Sequence, residues 1–193
     1  MAKKIVFIQG APRKNGNTRA MTDLAMKAAQ EAGAEVALID ATELEFKVPG
    51  CLGCQKCQES EDFVCSLGDE VAGAVAKLPG FDVIVLASPL YWWSYTAQLK
   101  IVIDRMYSLS KFREETGIRS VLAGKTLALL ATAGGPLADN LDLLERQWRN
   151  PAEMLDCSFL SCLFPDTTVE AGELAKDPAA AEKAIKFGRR LAS

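Results

Sequence analysis

Gln9-Gly10-Ala11-Pro12-Arg13-Lys14-Asn15-Gly16-Asn17-Thr18 follows directly on the apolar run Ile5-Val6-Phe7-Ile8 and precedes a helix-like segment that starts near Thr18. A buried strand, a small-residue loop and a helix start, in that order, build an anion cradle. The first N–H groups of a helix have no intrahelical partner. The helix dipole adds about half a positive charge at that end, and the two together suit a phosphate. Gly10 and Gly16 permit positive φ or close backbone approach. Asn15, Asn17 and Thr18 offer side-chain hydrogen bonds, and Arg13 offers a fork matched to phosphate oxygens. The stretch predicts a phosphorylated cofactor held where the first strand ends.

Working outward, Lys3 to Gln9 reads as a parallel strand, almost wholly apolar, as when helices cover both faces of a sheet. Thr18 to Ala32 reads as a helix stopped by Gly33, and Glu35 to Asp40 as a second strand. Ala41 to Gly68 has no clear periodicity and carries four of the six cysteines. Asp69 to Leu78 reads as a helix N-capped by Asp69 and broken at Pro79-Gly80. Phe81 to Ala87 is a central strand. Ser94 to Ser110 is amphipathic, with Leu99, Val102, Ile103, Met106 and Leu109 at helical spacing. Lys125 to Thr132 is a fourth strand. Asn140 to Leu155 is a helix with Pro151 as a candidate interruption. Cys157 to Phe164 is the last strand and Ala179 to Leu191 a closing helix. Cys157 and Cys162, five apart, fall on opposite strand faces and read as small apolar residues. This alternation predicts one α/β domain over residues 1–193, a three-layer sandwich around a five-stranded parallel sheet of order 2-1-3-4-5.

Composition narrows the function. The 193 residues are 49% hydrophobic, enough for a core. A net charge of −3 supplies no basic excess for nucleic acid. No apolar run reaches membrane-spanning length, and the N-terminal apolar stretch is too brief for a signal peptide, so a cytoplasmic location is expected. The chain has no histidine, which removes Ser-His and Cys-His catalysis and the commonest metal ligand. Six cysteines in such a chain point to metal or redox chemistry more than to structural disulfides.

In a sheet of this order ligands sit at the carboxyl ends of the strands, where the order reverses. That rule brings three loops together: the phosphate loop, Ser88-Pro89-Leu90-Tyr91-Trp92-Trp93-Ser94, and Ala131-Thr132-Ala133-Gly134-Gly135-Pro136. Tyr91, Trp92 and Trp93 offer a wall for a flat heterocycle. Gly134 and Gly135 let backbone approach a ring. Taken singly, these are a tight turn, aromatics suited to an interface and an ordinary connection. Meeting on one edge, they suit flavin mononucleotide (FMN).

Three motifs, Gly10 to Thr18, Ser88 to Trp93, and Gln98-Leu99-Lys100 with Ile103-Asp104-Arg105, resemble those of the NAD(P)H-dependent FMN reductase family, a branch of the flavodoxin-like proteins. The resemblance covers nearly the whole chain. It implies an FMN phosphate on Ala11, Pro12, Arg13, Asn15, Asn17 and Thr18. It also implies an isoalloxazine flanked by Pro89, Leu90, Tyr91, Trp92 and Trp93 on one side and Thr132, Ala133, Gly134 and Gly135 on the other. The family usually carries Ser where this chain has Ala11, a lost hydroxyl donor worth about 1.5–3 kcal/mol as a charge-assisted bond, so weaker FMN affinity is expected. Lys100 and Asp104 read either as an exposed i,i+4 pair or as residues near a dimer seam.

Cys51, Cys54 and Cys57, followed by Cys65, set four thiols in a segment at 48–68. Four cysteines are what a [4Fe–4S] cluster needs, and the spacing resembles the compact motif of iron-sulfur flavoproteins, a subgroup of the same family. Zinc on four thiolates, a redox-active thiol loop, or a relic of an ancestral cluster are the rival readings. The negative charge of Glu59, Glu61 and Asp62 is expected to lower a cluster's potential. The resemblance implies an oxidoreductase that passes electrons from NADH, NADPH or a ferredoxin-like donor through FMN to a small-molecule or protein acceptor. No catalytic acid or base of the chain is required, because the cofactor carries the chemistry. A homodimer or homotetramer is implied, with neighbouring subunits bringing cluster and flavin together. The alternative is a non-enzymatic electron carrier like flavodoxin or a cysteine-based sensor. A plain flavodoxin is typically more acidic and its first loop usually lacks Arg-Lys.

Overall fold

The computed structural model describes residues 2–193. Five parallel strands form the sheet: β1 (Lys4–Gln9), β2 (Glu35–Asp40), β3 (Val83–Pro89), β6 (Thr126–Thr132) and β7 (Ser158–Phe164). Their order is β2-β1-β3-β6-β7, which is 2-1-3-4-5 counted along the sheet strands. Strands β4 (Ser110–Arg113) and β5 (Gly117–Ser120) form a separate antiparallel hairpin that the sequence reading did not anticipate.

Because side chains alternate along a strand, the sheet has two apolar faces. Val6, Ile8, Ile84, Leu86, Leu127 and Leu129 face one core. It is covered by α3 (Glu70–Lys77), α4 (Ala97–Arg105) and α5 (Asp142–Met154) through Val75, Leu99, Val102, Leu144 and Trp148. Ile5, Phe7, Val83, Val85 and Leu130 face the other, covered by α1 (Asn17–Glu31) and α6 (Pro178–Ala192) through Met21, Ala25, Ala184 and Phe187. Cys157 packs against the first core and Cys162 lies in the second, so the two do fall on opposite faces.

Local chemistry sets the element ends. Asp69 caps α3 by accepting from Ala72 N–H at 2.9 Å. Thr96 caps α4, and Met106–Leu109 continues it as a tighter 3₁₀ turn, so the apolar stripe read over 94–110 is two pieces. Pro151 does not interrupt α5, which runs on to Met154 one N–H donor short. A short helix, α2 (Lys56–Glu59), lies inside the cysteine segment.

Gly10 is needed for approach, not for positive φ. A Cβ there would stand 2.5 Å from Leu99 Cβ and 2.8 Å from Thr96 Oγ1. Thr96 Oγ1 donates to the Gly10 carbonyl at 2.7 Å. The end of β1 and the start of α4 are thereby pressed together beside the phosphate loop.

Candidate functional site

Helix α1 begins with Gly16 as N-cap, and no side chain caps it; its first turn holds no acidic residue. Its leading N–H groups and dipole therefore face an anion-sized space without a built-in competitor. That space is a cleft of about 160 Å³. Among the residues expected to hold a cofactor, Ala11, Pro12, Arg13, Asn17, Thr18, Pro89, Leu90, Tyr91, Thr132, Ala133 and Gly134 line it. Asn15, Trp92, Trp93 and Gly135 do not. Gly16, Thr167, Thr168 and Val169 also line it, the last three from a strap between β7 and α6 that sequence reasoning passed over.

The strap has claimed part of the expected donor set. Asn17 Nδ2 donates to the Thr168 and Glu170 carbonyls at 2.8 and 2.9 Å, and Asn17 Oδ1 accepts from Leu174 N–H at 3.0 Å. Arg13 Nη1 donates to the Val169 carbonyl at 2.9 Å. Asn17 thus fastens the roof of the cleft. Thr18 and Thr132 share a hydroxyl hydrogen bond at 2.8 Å, joining the start of α1 to the end of β6. The Ala11 N–H is taken by Gln9 Oε1 at 3.1 Å.

The aromatic loop is a two-residue hairpin. Tyr91 and Ser94 exchange both backbone hydrogen bonds, at 2.9 and 3.0 Å. Trp92 and Trp93 between them sit at φ 50° and 59°, where glycine and asparagine are normally found. Such positions cost about 1–3 kcal/mol each and persist only where the surroundings impose them. Trp93 is imposed upon: its Nε1 donates to the Asp139 carbonyl at 2.9 Å and its own carbonyl accepts from Gln147 Nε2 at 3.0 Å. Trp92 stands against its edge, ring centroids 5.7 Å apart, and is 90% exposed.

A second pocket forms at the opposite end of α4. Cys51, Cys54, Cys57 and Cys65 all line it, with Leu52, Leu67, Arg105 and Tyr107. No carboxylate lines it, so the donor chemistry is that of a four-thiolate site. It encloses about 20 Å³, room for about one water. Among the described residues no three Cys, Asp or Glu side chains stand in ligand positions, so the cysteine side chains must rearrange to hold a metal. Gly50 and Gly53 lie at φ 68° and 64° and Gln55 at φ 60°. Backbone N–H of Lys56, then the Ser66 hydroxyl, hold the Cys54 thiol below its ordinary range.

Two elements grip this segment. The hairpin does so from one side: Lys111 Nζ donates to the Cys57 carbonyl and, at 2.5 Å, to that of Asp62, and Gln58 Nε2 donates to the Ser110 carbonyl at 2.8 Å. Arg105 does so from the other, donating to Cys65 Sγ at 3.4 Å and pairing with Asp69 at 3.0 Å. Burial alone would raise the Asp69 carboxyl; the N–H groups of Lys47 and Ala72 and the Arg105 guanidinium outweigh it and hold Asp69 at about 2. Lys100 and Asp104 form a half-exposed i,i+4 pair. A larger groove along the edge strand β2 mixes charges of both signs, among them Arg19, Asp23, Asp40 and Lys77.

With this geometry in place, the family model described as NADPH-dependent FMN reductase matches residues 3–156. The chain belongs to that family. It is 35% identical over 102 residues to an iron-sulfur flavoprotein of Methanocaldococcus jannaschii, covering 53% of this chain and 51% of that one. It is 33% identical over 136 residues to an iron-sulfur flavoprotein of Archaeoglobus fulgidus, covering 69% and 57% respectively. These matches span about half the length of each relative. Among solved structures it resembles an FMN-dependent NADH-azoreductase from Bacillus anthracis in complex with FMN. There the TM-score is 0.73 at 13% identity, over 98% of this chain and all of that one. At that identity the likeness establishes the flavodoxin-like fold. No helix among the described residues is long and apolar enough to cross a membrane.

Proposed function

We propose that this chain is an FMN-dependent NAD(P)H oxidoreductase of the iron-sulfur flavoprotein type. FMN, when bound, supplies hydride and single-electron transfer. The observation that carries the reading is the uncapped N-terminus of α1 opening into a cleft walled by Pro89, Leu90 and Tyr91. The chain's own part is positional. The first-turn N–H groups of α1 and the Arg13 donors not given to Val169 take the phosphate. Thr132, Ala133 and Gly134 bring backbone to one side of the ring. Trp92 and Trp93, next along the chain from the cleft-lining Tyr91, are the residues proposed to meet an incoming acceptor. The lost hydroxyl at Ala11 leaves these backbone groups with most of the phosphate's binding.

Cys51, Cys54, Cys57 and Cys65 are the residues proposed for a [4Fe–4S] cluster, which supplies single-electron transfer when assembled. Two features support this: the four thiols and the absence of carboxylates in the lining of their pocket, and the likeness to iron-sulfur flavoproteins. Thr96 touches the flavin-side loop and Arg105 the cysteine segment. Nine residue steps along α4 carry the chain from Thr96 to Arg105, about 14 Å along the axis. Pairing each cleft with the cysteine pocket of a neighbouring subunit in a homodimer or homotetramer shortens that path. The donor is NADH, NADPH or a ferredoxin-like carrier, and the acceptor a small molecule or protein.

The test is an absorption spectrum of protein purified without oxygen, with iron and sulfide analysis and NAD(P)H oxidation in the presence of FMN. A flavin doublet with a broad iron-sulfur shoulder and four irons per chain is the expected result. A flavin doublet without iron leaves a simple reductase. Failure to retain or reduce FMN removes the reading.

A further inference from the structure

Arg105 is the last residue of α4 and is 1% exposed. A guanidinium has five N–H donors in a fixed fork, and here every one has an acceptor. Nε donates to the Gly50 carbonyl. Nη1 donates to Cys65 Sγ at 3.4 Å and Asp69 Oδ1 at 3.3 Å. Nη2 donates to the Val48 carbonyl at 3.0 Å and Asp69 Oδ2 at 3.0 Å. Val48 and Gly50 precede the first cysteine of the segment; Cys65 and Asp69 close it. One buried side chain therefore joins both ends of the cysteine segment. Gly50 lies at positive φ, where a side chain is strained, and a Cβ there would also displace the Asp104 carboxylate, whose Oδ2 would lie 2.7 Å away.

A loop that needed only fastening is served as well by apolar contacts, which avoid the desolvation cost of a buried ion pair. What an apolar residue cannot do is place charge beside a sulfur ligand. We propose that Arg105 is a positioning residue for the iron-sulfur cluster on Cys51, Cys54, Cys57 and Cys65, and that its charge, directed at Cys65 Sγ and opposed by Asp69, sets how readily that cluster accepts an electron. This rests on the cluster reading of the preceding section. Reduction adds one electron and so one negative charge to the cluster. A cation and an N–H···S bond at a ligand sulfur favour the reduced state. Removing the cation makes reduction harder, and removing the opposing carboxylate makes it easier. A purely mechanical clasp gives no such opposite signs.

The experiment compares wild type, Arg105→Gln, Arg105→Lys and Asp69→Asn. Each is reconstituted with iron and sulfide without oxygen, assayed for iron, and titrated with dithionite and mediators by electron paramagnetic resonance. Arg105→Gln is expected to shift the one-electron equilibrium at least tenfold against reduction, about 59 mV lower. Asp69→Asn is expected to shift it in the opposite direction. Arg105→Lys keeps the charge without the fork. It is expected to stay within about threefold of wild type in potential while surrendering iron faster to a chelator. Shifts of the same sign in Arg105→Gln and Asp69→Asn, or no shift in either at full iron content, overturn the proposal. If Arg105→Gln fails to assemble a cluster, a higher potential in Asp69→Asn with Arg105→Lys near wild type still supports the proposal, and an unchanged or lower potential in Asp69→Asn overturns it. Equal loss of iron from Arg105→Gln, Arg105→Lys and Asp69→Asn, with the potential of the remaining cluster unchanged, identifies a mechanical clasp and also overturns it. Wild type that takes up no iron removes the cluster reading itself, an outcome separate from all of these.

Discussion

Replacing Gly10 by alanine tests whether the end of β1 and the start of α4 are in the contact described. The new methyl would lie 2.5 Å from Leu99 Cβ and 2.8 Å from Thr96 Oγ1. Neither neighbour is a loose side-chain end: Leu99 is fully buried and Thr96 is the α4 cap. Overpacking a tight core site costs about 1–3 kcal/mol. Pushing Thr96 aside also forfeits its bond to the Gly10 carbonyl, worth about 1 kcal/mol. The expected loss is about 2–4 kcal/mol, read as a lower urea midpoint at unchanged slope in FMN-free protein. Thr96→Ala supplies the control. It removes the 2.8 Å conflict but leaves the 2.5 Å one, and costs about 1 kcal/mol as a lost cap. The two substitutions should therefore couple, with the double variant about 1 kcal/mol more stable than the sum predicts. A Gly10→Ala change below about 0.5 kcal/mol, the scale of ordinary surface substitutions, or strict additivity with Thr96→Ala refutes the contact.

Ala11→Ser restores a hydroxyl to the cleft lining and should tighten FMN binding by about 10- to 150-fold, from 1.5–3 kcal/mol; fluorescence titration of apoprotein measures it, and unchanged affinity contradicts the placement. Asp69 ordinarily titrates near 3.8 and is held at about 2 in the fold, so its stabilisation is complete above pH 4 and is lost as pH falls through 2. It amounts to about 2 kcal/mol. Acid unfolding of metal-free Asp69→Asn should lack that fraction of the pH dependence. Burial pushes the Cys162 thiol up to about 12, while Cys51 and Cys54 are exposed. Brief alkylation of native metal-free protein at pH 8, followed by peptide mass spectrometry, should label Cys51 and Cys54 and spare Cys162.

The sheet was legible because its parallel strands are buried on both faces and read as unbroken apolar runs, Ile5 to Ile8 and Val83 to Leu86 above all. The lining of the cleft was legible where it comes from strand ends, as with Pro89, Leu90 and Thr132. The strap was not, because it acts through carbonyls at Thr168, Val169 and Glu170 that leave no mark on side-chain identity. The hairpin was missed because Ser110-Lys111-Phe112-Arg113 is short and polar, and its buried Lys111 reads as a surface charge. Arg105 was read beside an exposed pair, yet it stands three residues after Val102 on the apolar stripe of α4. A cation on a buried stripe was the available signal. The tryptophans were read as cleft wall because the aromatic run cannot show that the chain reverses at Trp92 and Trp93.

The manner in which the strap is secured bears on how this cleft can be remodelled. Arg13 and Asn17 hold it by the main-chain oxygens of Thr168, Val169 and Glu170, so these bonds are indifferent to which side chains those three positions carry. The strap also lies beyond residue 156, where the match to the family model ends. Other side chains at these three positions should seat on the same two anchors without disturbing the sheet, which makes this stretch of the roof an exchangeable part for altering what the cleft accepts.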